Sequence, residues 1–313
     1  MSSEGRLRVA VIGVGHLGRH HARLLAGIDG VELVGVVDLD ATRAAQVAAA
    51  AGTRAATDLA SLPEVDAVTV ATPTESHAAL ALPLLARGVS VLVEKPLTRR
   101  LDEADALIAE ATRSGAVLAV GHTERFNPAV TMAMPLVNRP GFVEIHRLGT
   151  FPERSLDIDV VFDLMIHDLD VLLAAVGGEV VSIEAVGVPV LTPRVDIANV
   201  RLRFDSGCIA NLTASRISKD RVRKVRFFQK QSYISIDYAS QEVEWYRLQM
   251  GTGAPTIEGG KLDVPREEPL RLELADFVDA VRTGRAPRVT GEAGRRALEL
   301  AHRITAAIEA GTI

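Results

Sequence analysis

The chain has 313 residues, 48% of them hydrophobic, with 35 basic against 40 acidic side chains and a formal net charge of −5. That length supports two domains of roughly 100 to 200 residues each, and the charge balance excludes a general electrostatic grip on nucleic acid while leaving a local anion site open. One cysteine, Cys208, excludes an intrachain disulfide and a multi-cysteine metal site.

The first 121 residues alternate short β-branched runs with longer alanine- and leucine-rich stretches, the pattern of parallel βα units. Strands are predicted at Leu7–Ile12, Val31–Val37, Ala67–Ala71, Val89–Val93 and Val117–Val120, with helices near 16–27, 41–51, 76–87 and 101–114. Asp102 and Glu103 suit the first turn of the last helix, and Gly115 stands where it should stop.

Gly13-Val14-Gly15-His16-Leu17-Gly18 follows the first strand directly. The strand before it, the helix after it and Asp38 at the end of the next strand give this G-x-G-x-x-G the context of a dinucleotide site. Gly13 makes the tight turn, Gly15 admits a pyrophosphate, and Gly18 lets helix and strand pack closely. His16 and Leu17 lie where the pyrophosphate should pass. Asp38 would accept from the ribose hydroxyls and repel a 2′-phosphate, so NAD is expected, although Arg43 keeps NADP open. His16, His20 and His21 lack a third ligand in register, so no metal is expected there.

Thr72, Pro73 and Thr74 leave the third strand at the same sheet edge and are placed to touch the cofactor, while His77 after them has either a structural or a ligand-binding role. Glu94-Lys95-Pro96 ends the next strand, beside the crevice where open α/β sheets bind ligands. A lysine there is costly to bury unless it is paired or used, which marks Lys95 for contact with both cofactor and substrate.

From residue 122 to 313 the pattern changes to an α+β domain. Alternating segments at Gly141–Leu148, Val180–Val188, Ala198–Phe204, Cys208–Ala214, Arg223–Phe228, Tyr233–Asp237 and Glu242–Leu248 predict a predominantly antiparallel, open-faced sheet. A helix is predicted over Asp159–Val176. It places Asp163 and His167 one turn apart, either as a base with its orienting carboxylate or as a buried structural pair. Residues 250–260, with their glycines, read as a loop, and 270–282 and 292–310 as closing helices whose packing the sequence leaves open. No signal-peptide core follows Met1 and no run of about 18 apolar residues appears, so a cytoplasmic protein is expected.

Gly13–Gly18, Thr72-Pro-Thr74, Glu94-Lys-Pro96 and Asp163-Leu-Met-Ile-His167, in this order, resemble the Gfo/Idh/MocA family of oxidoreductases. The resemblance implies an N-terminal Rossmann NAD-binding domain. It also implies that Lys95 contacts the reacting hydroxyl and the nicotinamide region, that Lys95-Pro96 is a cis peptide, and that His167 is the acid/base with Asp163 as partner. Family chains often carry glycines before that aspartate; this one has Asp159-Val-Val-Phe162.

A narrower resemblance, through Gly121-His-Thr-Glu-Arg-Phe-Asn-Pro128 and Asp159–Asp170, is to bacterial UDP-N-acetylglucosamine 3-dehydrogenases that supply lipid A precursors. It implies Glu124, Arg125 and Asn127 near a nucleotide-sugar substrate, and a homodimer or homotetramer formed through the sheet of the second domain. A dehydrogenase of another sugar, of inositol or of a UDP-sugar uronate, an NADP-dependent reductase, and a non-enzymatic NAD-binding regulator are the alternatives.

Overall fold

The computed structural model describes residues 5–151, 158–251 and 254–311. Two compact units form: residues up to 123 with 268–295, and residues 124–267 with 296 onward.

The first unit contains β1 (Leu7–Ile12), α1 (Gly18–Leu25), β2 (Val31–Val37), α2 (Ala41–Ala51), β3 (Ala55–Ala56), β4 (Ala67–Val70), α3 (His77–Ala86), β5 (Ser90–Glu94), α4 (Leu101–Ser114) and β6 (Leu118–Gly121). All six strands are parallel, in the order β3-β2-β1-β4-β5-β6. Their order reverses between β1 and β4, and such a switch point is where an open α/β sheet binds ligands. The central strands β4 and β5 are wholly buried, as strands covered by helices on both faces must be. Asp40 caps α2 by accepting from the N–H groups of Thr42 and Arg43. Gly115 ends α4 at φ +74°, as its position in the sequence indicates. Helix α1 begins two residues later than expected, because 13–17 form the turn.

The second unit contains α5 (Pro128–Ala133), β7 (Phe142–Leu148), α6 (Ile166–Val176), β8 (Val180–Val188), β9 (Ile197–Phe204), β10 (Ile209–Ser215), β11 (Val222–Gln229), β12 (Ser232–Asp237), β13 (Glu242–Gln249) and β14 (Thr256–Lys261). Its sheet runs β14-β13-β12-β11-β7-β10-β9-β8. Every pairing is antiparallel except β7 with β10. Strand β14 corrects the loop expected over 250–260, of which 252 and 253 lie outside the described residues. Its glycines are read too readily as a loop signal. A Cβ on Gly259 would stand 2.1 Å from the Trp245 carbonyl oxygen, so glycine is what lets this edge strand lie against β13. Cys208 is buried, and burial pushes its thiol up to about 11, as for an inert packing residue.

Two helices close the chain, α7 (Pro269–Thr283) and α8 (Gly291–Gly311). Here the division differs from a second domain running unbroken from 122 to 313. The amphipathic α7 buries Leu274, Phe277 and Val278 among Val9, Val11 and Leu25 of the first unit. Farther along, α8 places Leu300, Ala301 and Ile304 in the core of the second. Among the described residues no helix is long and apolar enough to cross a membrane.

Candidate active site

In the first unit, the turn after β1 depends on its glycines. Gly13 has φ +79°, and a Cβ there would meet Thr72 Cγ2 at 2.6 Å. A Cβ on Gly18 would stand 1.8 Å from the Gly13 carbonyl oxygen. Gly15 is different: a Cβ there would enter open space, the free backbone face that a pyrophosphate needs. The residues present therefore fit a dinucleotide. Asp38 lies beside this turn, 9% exposed; its Oδ2 accepts from Val14 N at 2.9 Å, and its Oδ1 from Asp40 N at 2.9 Å and Arg43 Nη1 at 3.0 Å. Burial pushes this carboxyl up, but the Asp40 and Val14 N–H groups and Arg43 outweigh it and hold the group below the usual carboxylate range. His16 and Leu17 are exposed on the turn, and His16 Nδ1 meets Arg19 Nη2 at 3.4 Å.

The next two loops are tied together by His77. This buried ring has Nε2 2.9 Å from the Thr72 carbonyl oxygen and Nδ1 3.0 Å from that of Pro96. Its role is thus to join the Thr72-Pro73-Thr74 segment to the Lys95-Pro96 peptide, which is cis. Thr72 Oγ1 accepts from Ser76 Oγ at 2.7 Å, fixing the same loop. Lys95 is half-buried. Its neighbour Glu94 is 5% exposed, with Oε1 2.9 Å from His21 Nε2 and Oε2 accepting from Lys95 N at 3.2 Å.

The second unit carries the acid/base candidates. A π-helical turn over Val161–Met165 precedes α6, so the helix expected over Asp159–Val176 starts later and more loosely. Such π turns recur at functional sites. Asp163 and His167, on this turn and on the first turn of α6, are both half-buried. Asp159 Oδ1 accepts from Val195 N at 3.0 Å, and its carbonyl oxygen accepts from Asp163 N at 3.0 Å. It anchors the turn.

Asp168, next to His167 in the chain, belongs to a buried polar network whose centre, Arg147, the sequence reading missed. Arg147 on β7 donates to both Asp168 oxygens, from Nε at 2.7 Å and from Nη2 at 2.9 Å, and through Nη1 to Glu124 at 3.0 Å. Its guanidinium carbon lies 5.3 Å from the centre of the Tyr238 ring. Burial alone would lower its pKa, but Asp168 and Glu124 raise it, so Arg147 is charged. Arg125 Nη1 donates to Asp170 at 3.2 Å. Asn127, 2% exposed, is engaged by the fold: Oδ1 accepts from Ala129 N, and Nδ2 donates to the Tyr238 carbonyl oxygen at 3.0 Å and to Glu124 at 3.3 Å. A sequence signal for this network exists: Arg147 occupies an inward register position after Val143 and Ile145. His21, likewise on the buried face of α1, escaped notice behind the apparent trio with His16 and His20.

Comparison with known proteins agrees with this geometry. The family model described as oxidoreductase family, NAD-binding Rossmann fold, matches residues 7–122, and the GFO/IDH/MocA C-terminal domain matches residues 146–233. A UDP-N-acetylglucosamine 3-dehydrogenase of Acidithiobacillus ferrooxidans is 42% identical over 97% of this chain and 98% of its own. A crystal form of that organism's UDP-N-acetylglucosamine 3-dehydrogenase superposes with a TM-score of 0.92 at 40% identity, covering 97% of this chain and 98% of the other. A scyllo-inositol 2-dehydrogenase (NAD(+)) of Bacillus subtilis is 29% identical over 92% of this chain and 90% of its own. Glycine turn, Asp38, Glu94-Lys95-Pro96 and both domain matches converge: the chain belongs to the Gfo/Idh/MocA family of NAD-dependent oxidoreductases.

Proposed function

We propose that the protein oxidises the 3-hydroxyl of UDP-N-acetylglucosamine to the 3-keto nucleotide sugar, a precursor of the 3-amino sugars of lipid A, in the cytoplasm. The observation that carries this reading is the 42% identity, over nearly the whole of both chains, to an enzyme of that name. Gly13, Gly15, Gly18 and Asp38 would hold the adenosine and pyrophosphate, and Thr72, Pro73, Thr74 and Glu94-Lys95-Pro96 the nicotinamide half. When bound, NAD supplies at its nicotinamide ring the acceptor for the hydrogen and electron pair that leave C3. Lys95 donates to the C3 oxygen and favours its developing negative charge. His167 takes the hydroxyl proton, and Asp163 orients the imidazole and stabilises it once protonated. Arg125, whose Nη1 donates to Asp170, faces the diphosphate. Glu124 and Asn127 support that segment through Arg147, Ala129 and Tyr238.

The test is NADH formation, followed by absorbance, with UDP-N-acetylglucosamine, its glucose and galactose analogues, UDP-N-acetylglucosaminuronic acid, free inositol and free sugars. Each assay is coupled to an aminotransferase or a keto trap, because oxidation at a secondary hydroxyl is uphill. Signal with UDP-N-acetylglucosamine above all others is expected, and preference for a free polyol or sugar would sink the assignment.

The same reading includes a homodimer or homotetramer formed through the open face of the second sheet. Its support is a row of directly paired aromatic residues across four strands: Phe142, Phe228, Tyr233 and Tyr246, with successive ring centres 5.5, 5.1 and 6.4 Å apart.

A further inference from the structure

The core-facing side of a sheet seldom carries arginine, yet β11 places a second one there beside Arg147. Arg223 lies directly opposite Arg147 in the antiparallel pairing of β11 with β7, and directly opposed residues project to the same face of a sheet. That face is the inward one: Val225 and Phe227, two and four residues on, are buried in the core of the second unit with Val143 and Ile145 of β7. At Arg223 this face reaches its rim, and the residue is exposed. Tyr238 stands at the same rim, where its N–H donates to the Arg223 carbonyl oxygen at 2.9 Å.

Like charges directly opposite each other destabilise a sheet, and only one of these two is neutralised. Arg147 is taken up by both oxygens of Asp168 and by Glu124. The Arg223 guanidinium forms no hydrogen bond or ion pair among the described residues, although its charge acts on Asp168. Two residues earlier Arg221 brings another cation to the rim, with Nη2 donating to the neutral Thr150 hydroxyl at 3.2 Å. Such a positive rim is completed by an anion from outside the chain. A nucleotide sugar brings one, since its diphosphate carries a charge on each phosphoryl group. Arg125 already donates to Asp170 at 3.2 Å, so it meets that ligand with part of its charge countered. Glu124, next to Arg125 in the chain, is bound by the same Arg147 that Arg223 opposes, so Arg125 and Arg223 flank one network.

We propose that Arg223 is a specificity-determining residue that binds the diphosphate of the nucleotide sugar, so that the protein selects a nucleoside diphosphate sugar over the bare sugar. The inference rests on the nucleotide-sugar reading of the site and adds to it an anchor on β11, outside the Glu124–Asn127 segment.

Isothermal titration calorimetry of the full chain tests it, with NAD titrated alone and UDP titrated in the presence of NAD, on wild type, Arg223→Ala, Arg223→Lys and Arg223→Glu. Arg223→Ala is expected to weaken UDP about tenfold, the loss of one charge-assisted contact, and to leave NAD within about twofold. Arg223→Lys should recover part of the loss, since it restores the charge without the planar fork, and Arg223→Glu should weaken UDP beyond Arg223→Ala. In turnover with UDP-N-acetylglucosamine, Arg223→Ala should raise KM about tenfold and change kcat less. Equal UDP binding by wild type and Arg223→Ala overturns the proposal, as do variants that weaken NAD in step with UDP. A fall in kcat at unchanged KM overturns it too, because Arg223 would then act on the placement of α6 through Asp168. Failure of the wild type to bind UDP would instead sink the nucleotide-sugar reading, and this proposal with it.

Discussion

Lys95 is a half-buried ammonium at the end of a wholly buried strand, and its neighbours explain how it is held. Glu94 is fixed on one oxygen by His21 and on the other by the Lys95 backbone N–H. The carboxylate also presses on the next strand: a Cβ at Gly121 would stand 2.9 Å from it. Gly121→Ala is therefore expected to displace Glu94 and cost roughly 1–3 kcal/mol of stability, measured by urea unfolding. An unchanged midpoint would mean that the carboxylate has room to move. Lys95→Ala is a different kind of change. On the proposed mechanism it removes the donor to the reacting oxygen without touching the core, so turnover should fall by about 10²–10³ while the melting temperature stays put; near-normal turnover would remove Lys95 from the chemistry. Lys95 was legible in the sequence because a charge ending an apolar strand stands out. His21 was not, since its importance depends on which face of α1 packs inward.

Helix α6 is tied to its unit by two carboxylates that follow the acid/base candidate in the chain, Asp168 held by Arg147 and Asp170 by Arg125. Burial pushes the Asp170 carboxyl up to about 7, only partly opposed by Arg125. An acid held above its ordinary value keeps its proton in the folded state between about pH 4 and 7, where the unfolded chain has lost it. Stability therefore falls as pH rises through that window and is level above it. Asp170→Asn should remove this slope. Between pH 4.5 and 8, wild type is expected to lose on the order of 1–3 kcal/mol relative to the variant, read from paired urea titrations. A pH-independent difference would show that Asp170 ionises normally. The elements themselves were largely legible, since alternation marks the buried face of β7 or β9 plainly. The exceptions have local physical causes. The glycines of β14 mimic a loop but serve close strand approach, and the apolar run around Asp163 gives no sign that its first turn is π-helical. Arg147 was hidden by the habit of expecting arginine outside, although its register with Val143 and Ile145 points inward.

At the scale of the whole molecule, the second sheet covers one face with its own core and leaves the other to be explained. The inward residues Val143, Ile145, Val225, Phe227, Ile234 and Ile236 are buried, while the opposite face carries Phe142, Phe228, Tyr233 and Tyr246 in register. Tyr246 is 42% exposed. Cross-strand aromatic pairs stabilise a sheet by a few tenths to about 1 kcal/mol each, but a row of them at the surface also gives a flat, rigid, weakly solvated patch of the kind that interfaces use. A stable dimer needs about 800 Å² per partner, which four aromatic positions spread over four adjacent strands can anchor. Sedimentation velocity is expected to report a mass above the 33.4 kDa of one chain. Tyr246→Lys should shift it toward that value, because an ammonium ion at the end of the aromatic row must be desolvated if association covers the row. The variant should keep its circular dichroism spectrum, since the substituted side chain is not part of the unit's core. A wild-type protein that sediments as a single chain at micromolar concentration would leave the aromatic row with the sheet alone and remove the oligomer from the reading.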